Sequence, residues 1–428
     1  MNKKYSEYKD SGIEWIGRIP AGWSCKKIRF ICRLQKGKNP EELLDEKVSE
    51  EYFPYLSMEY LRGNAENLKF CKNNNGVLTD ENDLLVLWDG SNAGEIINSK
   101  KGILSSTLAK IHDYKNNLRC LKYTLKAFEA ILKDMSIGMG IPHVDGDFLK
   151  NSSIPIPEIY EQSKIIDFLN NKIIEVDDLV AKKERMIDLL KEERTAIINH
   201  AVTKGLDPDV EMKDSGVEWL GEIPAHWEVK RLKFVIEINP QRANQIDEDE
   251  QAVFIAMESM NNDGTFDNSV IRPYSEVKTG FTYFAENDVI FAKITPCFEN
   301  GKGALLSNLG SKIGFGSTEF HVLRSVYKKT MPEYIYFLTI SGMFRRLGEA
   351  FMQGVAGQKR VTNEFVKNFT TGIPPVDEQE IIAKFLNKKC CQLDQQINRE
   401  ERSIELLKEY RTALISEVVT GKIDVRGE

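Results

Sequence analysis

The feature that most constrains this chain is an internal repeat. The stretch from Lys9 to Phe30 recurs from Lys213 to Phe234, and more than half of its positions are identical. A chain of 428 residues is also longer than one hydrophobic core usually supports. We therefore expect two copies of one structural unit, each introduced by this frame sequence.

A second repeat lies further along each copy and continues into a helical pattern. EQSKIIDFLNNK from Glu161 recurs as EQEIIAKFLNKK from Glu378, and both open an apolar heptad typical of a long helix. The predicted seam comprises Ile166, Leu169, Ile173, Val176, Val180, Ile187 and Leu190 in the first helix, and Leu386, Leu393, Ile397, Ile404 and Leu407 in the second.

The two seams match each other in phase and in their interruptions. Lys183 aligns with Glu400, and Arg194 aligns with Arg411. Matching seams of about 35 residues favour two helices packed on each other as a coiled coil. The alternative is that each seam packs only on its own domain.

The order of the repeats predicts a pseudo-circular molecule. After the first helix, VTKGLD leads into the second frame sequence, whereas VTGKID after the second helix leads to the end of the chain. The frame that should follow the second helix stands at the N-terminus. We therefore expect the two ends of the chain to meet, with an approximate two-fold axis and antiparallel helices.

The repeats divide the chain into three kinds of segment. The predicted segments are the frame segments 1–25 and 208–229, the first and second variable domains 26–153 and 230–372, and the helical connectors 154–207 and 373–428. In both variable domains an END tripeptide precedes an apolar run, and FLKN or FVKN closes the domain. Strand and helix signals are mixed, which predicts an α+β fold.

Composition and absent motifs exclude several classes of protein. No run of eighteen apolar residues and no pairing pattern among the seven cysteines occurs, so we expect a reduced, cytoplasmic chain with no membrane segment. No phosphate loop, HExxH or methyltransferase tetrapeptide occurs either. The chain is therefore expected to have no catalytic residue, no metal site and no cofactor of its own.

The doubled frame carries a family resemblance. KDSG.EW.G.IP..W precedes each variable domain and IP..EQ..I..FL leads into each heptad helix, which resembles the specificity subunit of type I restriction-modification systems over nearly the whole chain. The resemblance implies that the variable domains are target recognition domains. Each would read one half of an asymmetric bipartite site in double-stranded DNA, with the coiled coil setting their distance.

The same resemblance implies the partners. Two methyltransferase subunits would use S-adenosylmethionine, and two restriction subunits would use ATP and magnesium. The net charge of −7 lies mainly in residues 154–229 and 373–428, and such acidic connectors suit protein partners better than DNA. The alternatives are a coiled-coil scaffold whose variable heads bind proteins, and a fused restriction and methylation enzyme active without partners.

Two loops in each variable domain are candidates for DNA contact. Polar or basic side chains near glycines suit base and phosphate recognition, and the alternatives are a plain hairpin turn or a solvated charged run. The loop after the apolar run offers Trp88, Asp89, Ser91 and Asn92 in the first domain, and Lys293, Thr295, Asn300 and Lys302 in the second. The loop before FLKN or FVKN offers His143, and Gln358, Lys359 and Arg360. Trp15, Trp23, Trp219 and Trp227 repeat with the frame and are expected to serve packing.

Overall fold

The computed structural model describes residues 4–63, 66–81, 83–113, 118–138, 140–242, 246–355 and 357–427, without the side chains of residues 118 and 119. The chain forms two compact units. Unit 1 comprises Met1–Lys183 and Arg402–Glu428, and unit 2 comprises Glu184–Glu401. None of the described helices has an apolar stretch long enough to cross a membrane.

Unit 1 contains the first frame segment and the first variable domain. Its strands are β1 (Tyr8–Asp10), β2 (Arg18–Pro20), β3 (Ser24–Lys27), β4 (Cys32–Lys36), β5 (Tyr52–Leu56), β6 (Phe70–Lys72), β7 (Leu78–Thr79), β8 (Leu84–Leu87), β9 (Ile96–Asn98), β10 (Gly102–Leu104), β11 (Leu108–Asp113) and β12 (Ser153–Ile156). Its shorter helices are α1 (Met58–Leu61), α2 (Leu118–Asp134) and α3 (Gly146–Asn151), with a 3-10 turn at Ile28–Phe30. The long helix α4 (Ile159–Lys204) begins here and ends in unit 2.

Unit 2 contains the second frame segment and the second variable domain. Its strands are β13 (Met212–Asp214), β14 (Glu222–Pro224), β15 (Glu228–Arg231), β16 (Ile236–Ile238), β17 (Gln251–Ile255), β18 (Ile271–Pro273), β19 (Thr282–Ala285), β20 (Val289–Ala292), β21 (Gly303–Leu305), β22 (Ile313–Gly316), β23 (Phe320–Ser325) and β24 (Thr370–Ile373). Its shorter helices are α5 (Tyr274–Val277), α6 (Pro332–Ile340), α7 (Gly342–Ala350) and α8 (Asn363–Asn368), with a 3-10 turn at Leu232–Phe234. The second long helix, α9 (Val376–Val419), begins here and ends in unit 1.

The sheets of the two units have the same topology. The antiparallel sheet β4-β11-β8-β9 of unit 1 corresponds to β16-β23-β20-β21 of unit 2. The mixed sheet β6-β5-β10-β7 corresponds to β18-β17-β22-β19, and in each the two central strands are parallel. The duplication is therefore present in the variable domains as well, where the two sequences have diverged.

The apolar run after each END tripeptide forms a strand that is buried on both faces. In β8, Leu84 and Val86 pack towards α2, whereas Leu85 and Leu87 pack against the mixed sheet. Alternate side chains of a strand point to opposite faces, so a strand between two layers must be apolar throughout. The corresponding strand β20 is likewise buried at all four positions.

The helical segments that follow β11 and β23 in the two variable domains differ in continuity. The first is continuous as α2, whereas the second breaks into α6 and α7 at Ser341. Ser341 has an extended backbone, and its hydroxyl accepts a hydrogen bond from the amide of Phe344, which caps α7. The following Gly342 fits beside Asn199, whose side chain accepts a hydrogen bond from its amide at 2.7 Å.

The frame sequence folds into the same hairpin in both units. Strand β1 pairs with β2, and β13 pairs with β14, in equivalent register. Asp10 accepts a hydrogen bond from the amide of Gly12, and Asp214 accepts one from Gly216, both at 2.9 Å. Gly12 has a φ of +69° and Gly216 has a φ of +67°, a backbone conformation that favours glycine. The DSG tripeptide therefore encodes a turn.

A tryptophan of each frame connects the two repeated sequences. Trp23 is 1% exposed and Trp227 is fully buried. The indole of Trp23 donates a hydrogen bond to Glu161, and that of Trp227 donates one to Glu378 at 3.1 Å. Both glutamates belong to the repeated EQ sequence that opens the long helix. Trp219, by contrast, is 47% exposed, so the expectation that all four frame tryptophans are packing residues was wrong there.

The long helices extend beyond the length expected from the heptads. Helix α4 has 46 residues and α9 has 44, because both continue past the apolar seam at each end. In unit 1 the start of α4 packs on the end of α9, and in unit 2 the end of α4 packs on the start of α9. Both contacts require antiparallel helices, as the order of the repeats predicts.

The predicted seam is largely buried. Leu169, Ile173, Val176, Ile187, Leu190, Leu386, Leu393, Ile397 and Ile404 are at most 9% exposed, and Val180 and Leu407 are half-buried. The buried position near the start of α4 is Ile165 and not Ile166, which is half-buried. Here the helix also packs on Trp23 and Tyr5 of the frame, so its buried face turns by one residue.

The two ends of the chain pack together within unit 1. Tyr5, Ile423 and Val425 are buried in one cluster. Lys422 donates hydrogen bonds to the carbonyls of Ile16 at 2.9 Å and Arg18 at 2.5 Å. The end of the chain therefore occupies the position that the sequence order predicted for it, beside the N-terminal frame.

Candidate nucleic-acid interface

The two candidate loops of the first variable domain lie side by side. Asp89 and His143 form an isolated β-bridge. The amide of Gly90 donates to the carbonyl of Pro142 at 2.9 Å, and the amide of Val144 donates to the carbonyl of Trp88 at 2.9 Å. Two loops separated by some fifty residues in sequence thus form one surface at the end of β8.

The second variable domain pairs its loops in the same way. Ile294 and Arg360 form the corresponding bridge. The amide of Thr295 donates to the carbonyl of Lys359 at 3.0 Å, and the amide of Val361 donates to the carbonyl of Lys293 at 2.8 Å. Trp88 therefore corresponds to Lys293 and His143 to Arg360. We call each pair of loops the paired loops of its domain.

The paired loops of the first domain also meet the end of β4. The Lys36 ammonium lies 2.9 Å from the Asp89 carboxylate and 5.6 Å from the centre of the Trp88 ring. Ser91 is exposed and Asn92 is half-buried. This surface thus combines an aromatic ring, an ion pair and small polar groups, which suits contact with base edges more than with phosphates alone.

The paired loops of the second domain are more basic. Gln358 and Lys359 are exposed, and the Thr295 hydroxyl accepts a hydrogen bond from the amide of Lys359 at 3.2 Å. The Arg360 guanidinium forms an ion pair with Glu319 at 2.8 Å. This contact lowers the pKa of the Glu319 carboxyl, so Glu319 stays ionised among these basic side chains.

Two residues of the loop after β20 have different environments. Asn300 is exposed, but Lys302 is half-buried and donates to the carbonyl of Met257 at 2.9 Å. This hydrogen bond holds the Lys302 ammonium against the backbone of Met257. Lys302 therefore supports the loop in this structure.

A buried arginine supports the same loop from below. Arg345 of α7 donates to the loop carbonyls of Phe298 at 3.0 Å and Gly301 at 3.4 Å, and to the carbonyl of Thr339 in α6 at 2.8 Å. Its guanidinium lies 4.7 Å from the Phe298 ring centre. Burial lowers the pKa of Arg345 to about 10, which still leaves it charged at neutral pH. A charged donor on loop carbonyls holds the loop backbone in place.

A buried histidine supports the other loop. His321 is 2% exposed and its Nε2 lies 2.8 Å from the carbonyl of Val361, the residue after Arg360. Burial lowers the pKa of His321 to about 4. The ring is therefore neutral at physiological pH, and the hydrogen bond assigns its proton to Nε2.

The END aspartates are structural in both domains. Asp288 is 1% exposed and accepts two hydrogen bonds from Arg324, at 2.8 and 2.7 Å. Asp83 takes the corresponding position opposite Lys110 at 2.5 Å. Each carboxylate also accepts a hydrogen bond from the amide of the residue three positions earlier, Asp80 for Asp83 and Ala285 for Asp288. This hydrogen bond closes the turn into the buried strand. Among the described residues, no cluster of three His, Cys, Asp or Glu side chains is placed to hold a metal ion.

The comparisons with known proteins agree with this architecture. The model of the type I restriction modification DNA specificity domain matches residues 20–187 and 224–408. The chain belongs to this family. The two matched ranges cover both variable domains and most of both long helices, so the family model occurs once in each copy of the repeat.

Relatives of known name are of the same kind. The chain is 29% identical to the type I restriction enzyme MjaVIII specificity subunit of Methanocaldococcus jannaschii, over 96% of this chain and 95% of the relative. It is 32% identical to the EcoEI specificity subunit of Escherichia coli over 53% of this chain and 39% of that relative. Both relatives are named as type I specificity subunits, in agreement with the family match.

Solved structures confirm the α+β fold class. One is a chain from a study of complex assembly and conformational transition of the type I R-M system, with a TM-score of 0.67, 14% identity and coverage of 94% of this chain and 98% of that one. Another is the HsdS subunit from Thermoanaerobacter tengcongensis, with a TM-score of 0.51, 15% identity and coverage of 95% and 98%.

Sequence reasoning missed three residues at the paired loops of this chain. Lys36 and Glu319 stand in segments remote from both loops, and strand pairing brings them there. Arg345 lies in α7, shortly before the loop that contains Arg360, and its contact is with the loop after β20. Lys36 comes to the paired loops because antiparallel pairing places the end of β4 beside the start of β11, a pairing that only the structure shows. No pattern in the sequence pointed to Arg345.

Proposed function

We propose that this specificity subunit reads an asymmetric bipartite sequence in double-stranded DNA, one half with each variable domain. The observation that carries the proposal is the pair of equivalent surfaces with different side chains. Trp88 and His143 stand in the first domain where Lys293 and Arg360 stand in the second. Equivalent scaffolds with different polar groups predict two different half-sites.

We also propose that the repeated frame and helices recruit two methyltransferase subunits, and that two restriction subunits join the complex. The repeated stretches Lys9–Phe30 and Lys213–Phe234 each end in an exposed aromatic side chain, Phe30 at 64% and Phe234 at 59%. The preceding cation lies over each ring, Arg29 at 4.9 Å and Lys233 at 5.2 Å. Identical exposed features support two copies of one partner.

The chemistry belongs to those partners in this proposal. S-adenosylmethionine would be bound by the methyltransferase subunits, and ATP and magnesium by the restriction subunits. The specificity subunit would contribute recognition and geometry alone. A fused enzyme would instead methylate DNA as an isolated chain, and a protein-binding scaffold would not confer any DNA sequence preference on its partners.

The test is single-molecule sequencing of adenine methylation in cells that carry the cognate methyltransferase subunit, with and without this chain. We expect a gapped two-part sequence that is methylated only when the chain is present. Replacement of both Phe30 and Phe234 by alanine should weaken capture of the methyltransferase subunit by the purified chain, while substitution of exposed Tyr327 should not. Assembly without any chain-dependent methylated sequence would contradict the DNA-reading proposal.

A further inference from the structure

The ion pair between Arg360 and Glu319 has a side-on geometry. The Nε of Arg360 donates to Glu319 at 2.9 and 3.1 Å, and Nη2 donates to Oε1 at 2.8 Å. Nη1 donates to the carbonyl of Gln358 at 3.3 Å. The Glu319 carboxylate thus binds the Nε and Nη2 edge of the guanidinium and fixes the orientation of the guanidinium plane.

The outer edge of the guanidinium remains available. A guanidinium has five N–H donors. Within the described chain, the acceptors above engage one N–H on each of Nε, Nη1 and Nη2, which leaves a second N–H on Nη1 and on Nη2. The Arg360 side chain is 43% exposed. One donor on Nη1 and one on Nη2 match in number the O6 and N7 acceptors of guanine in the major groove.

The backbone beneath Arg360 is held from both sides. Its amide and carbonyl pair with Gln353 at 2.8 and 3.0 Å, and the amide of Val361 donates to the carbonyl of Lys293. His321 contacts the carbonyl of Val361 from the core. Both the Cα position and the guanidinium plane are thus set before any ligand arrives, which is what selection of one base edge requires.

Glu319 is unfavourable for phosphate binding. It introduces a negative charge beside Lys293 and Arg360, and this charge would repel a DNA backbone. A carboxylate that orients an arginine towards a base is consistent with both the geometry and the surrounding charge.

The first variable domain has no counterpart of the Arg360–Glu319 ion pair among its described residues. His143 stands at the position of Arg360. The strand register places Thr107 at the position of Glu319, because Leu108 pairs with Leu87 as Phe320 pairs with Ala292. The pairing of an arginine with a carboxylate is therefore specific to the second domain.

We propose that Arg360, oriented by Glu319, donates both free N–H groups to the O6 and N7 of one guanine in the half-site read by the second variable domain. Glu319 is a positioning residue that restricts Arg360 to guanine. The inference rests on the proposed function and goes beyond it, because it names a base, the two atoms contacted and the residue that enforces the choice.

The test uses the complete complex with its methyltransferase subunits and compares the wild type with R360A, E319Q and K359A. Methylation sequencing defines the two half-sites, and binding to duplexes with single base-pair changes measures discrimination. We expect a G·C pair in the second half-site, where R360A lowers discrimination on the order of tenfold to a hundredfold. E319Q should lower discrimination at that same pair without weakening overall binding, and K359A should weaken all duplexes alike.

Three results would overturn the inference. A second half-site without a G·C pair leaves Arg360 with no guanine to contact. Unchanged discrimination in R360A removes its role in recognition. Uniform weakening by E319Q, together with a lower melting temperature, assigns Glu319 a purely structural role. If the wild-type chain confers no methylated sequence at all, the proposed function itself fails, and that outcome is separate from the others because it precedes any variant.

Discussion

At the scale of single residues, the second variable domain keeps ionisable groups inside and uses them to hold its loops. Arg345 is charged and bonded to loop carbonyls, whereas His321 is neutral and bonded to the carbonyl after Arg360. Asp288 is ion-paired at the turn into β20. Each group is stabilised by a specific partner, since a buried polar group without one would cost free energy.

His321 predicts a loss of stability in acid. Its pKa is about 4 in the folded chain and about 6.5 in an unfolded one, so the unfolded chain binds the proton more tightly. As pH falls from about 6.5 towards 4, the free energy of unfolding should fall by about 3 kcal/mol. Urea unfolding between pH 7 and 4.5, followed by tryptophan fluorescence, measures this change.

The matched control is H321Q, whose amide can still donate to the carbonyl of Val361. This variant should be less stable at pH 7 and should lose less stability on acidification, because the titrating group is gone. Carboxylates that titrate near pH 4 affect both proteins and cancel in the comparison. An equal dependence on pH in the two proteins would show that His321 does not set it.

At the scale of elements, the long helices combine an apolar seam with crossed ion pairs. Arg411 lies 3.4 Å from Asp177 in unit 1, and Arg194 lies 3.4 Å from Asp394 in unit 2. In the repeat, Arg411 corresponds to Arg194 and Asp394 to Asp177, so the same pair occurs once in each unit. Polar contacts at fixed positions of a seam specify orientation and register more than they stabilise.

Reversing one charge of a pair should destabilise the helical contact modestly. R411E places two negative charges together and should lower the free energy of unfolding by about 1 kcal/mol, and addition of D177R should restore most of it. R194E and D394R provide the matched cycle in unit 2. Thermal unfolding followed by circular dichroism at low salt measures both cycles. The absence of any restoration by the double variant would mean that the pairs do not interact.

At the scale of the whole molecule, the ends of the chain close the architecture that the repeat begins. Buried Ile423 and Val425 contact the first frame segment, and the Arg426 guanidinium lies 4.5 Å from the ring centre of Tyr5. In the other copy, the continuous segment from Gly205 to Met212 makes the corresponding passage from helix to frame. The passage from α4 to the second frame segment is therefore made by continuous chain, whereas α9 and the first frame segment are held together by side-chain packing.

This arrangement predicts that the chain tolerates circular permutation. Joining Glu428 to Met1 by a short glycine-serine linker and opening the chain between Pro208 and Asp209 should preserve helix content and cooperative melting. Opening the chain within α4, between Val180 and Ala181, is the control and should disrupt the long helix. Loss of cooperative unfolding in the first permutant would show that the covalent passage at 205–212 is required.

The sequence alone was sufficient for the features that repeat or are periodic. Two frames of more than twenty residues in the same order predict two copies of one fold, and heptads predict two helices whose antiparallel course follows from chain order. These features depend on local turn chemistry and on the spacing of apolar side chains. The resemblance to type I specificity subunits rested on the same frames, and the family match confirmed it.

Only the tertiary structure decided how the candidate loops are assembled. That Asp89 lies beside His143, that Glu319 orients Arg360, and that Lys302 turns inward depend on strand pairings between segments remote in sequence. The shift of the seam from Ile166 to Ile165 likewise follows from packing on the frame and not from the heptad. Local patterns specify which segments form, whereas the partners of a polar side chain are selected by non-local contacts that no periodicity encodes.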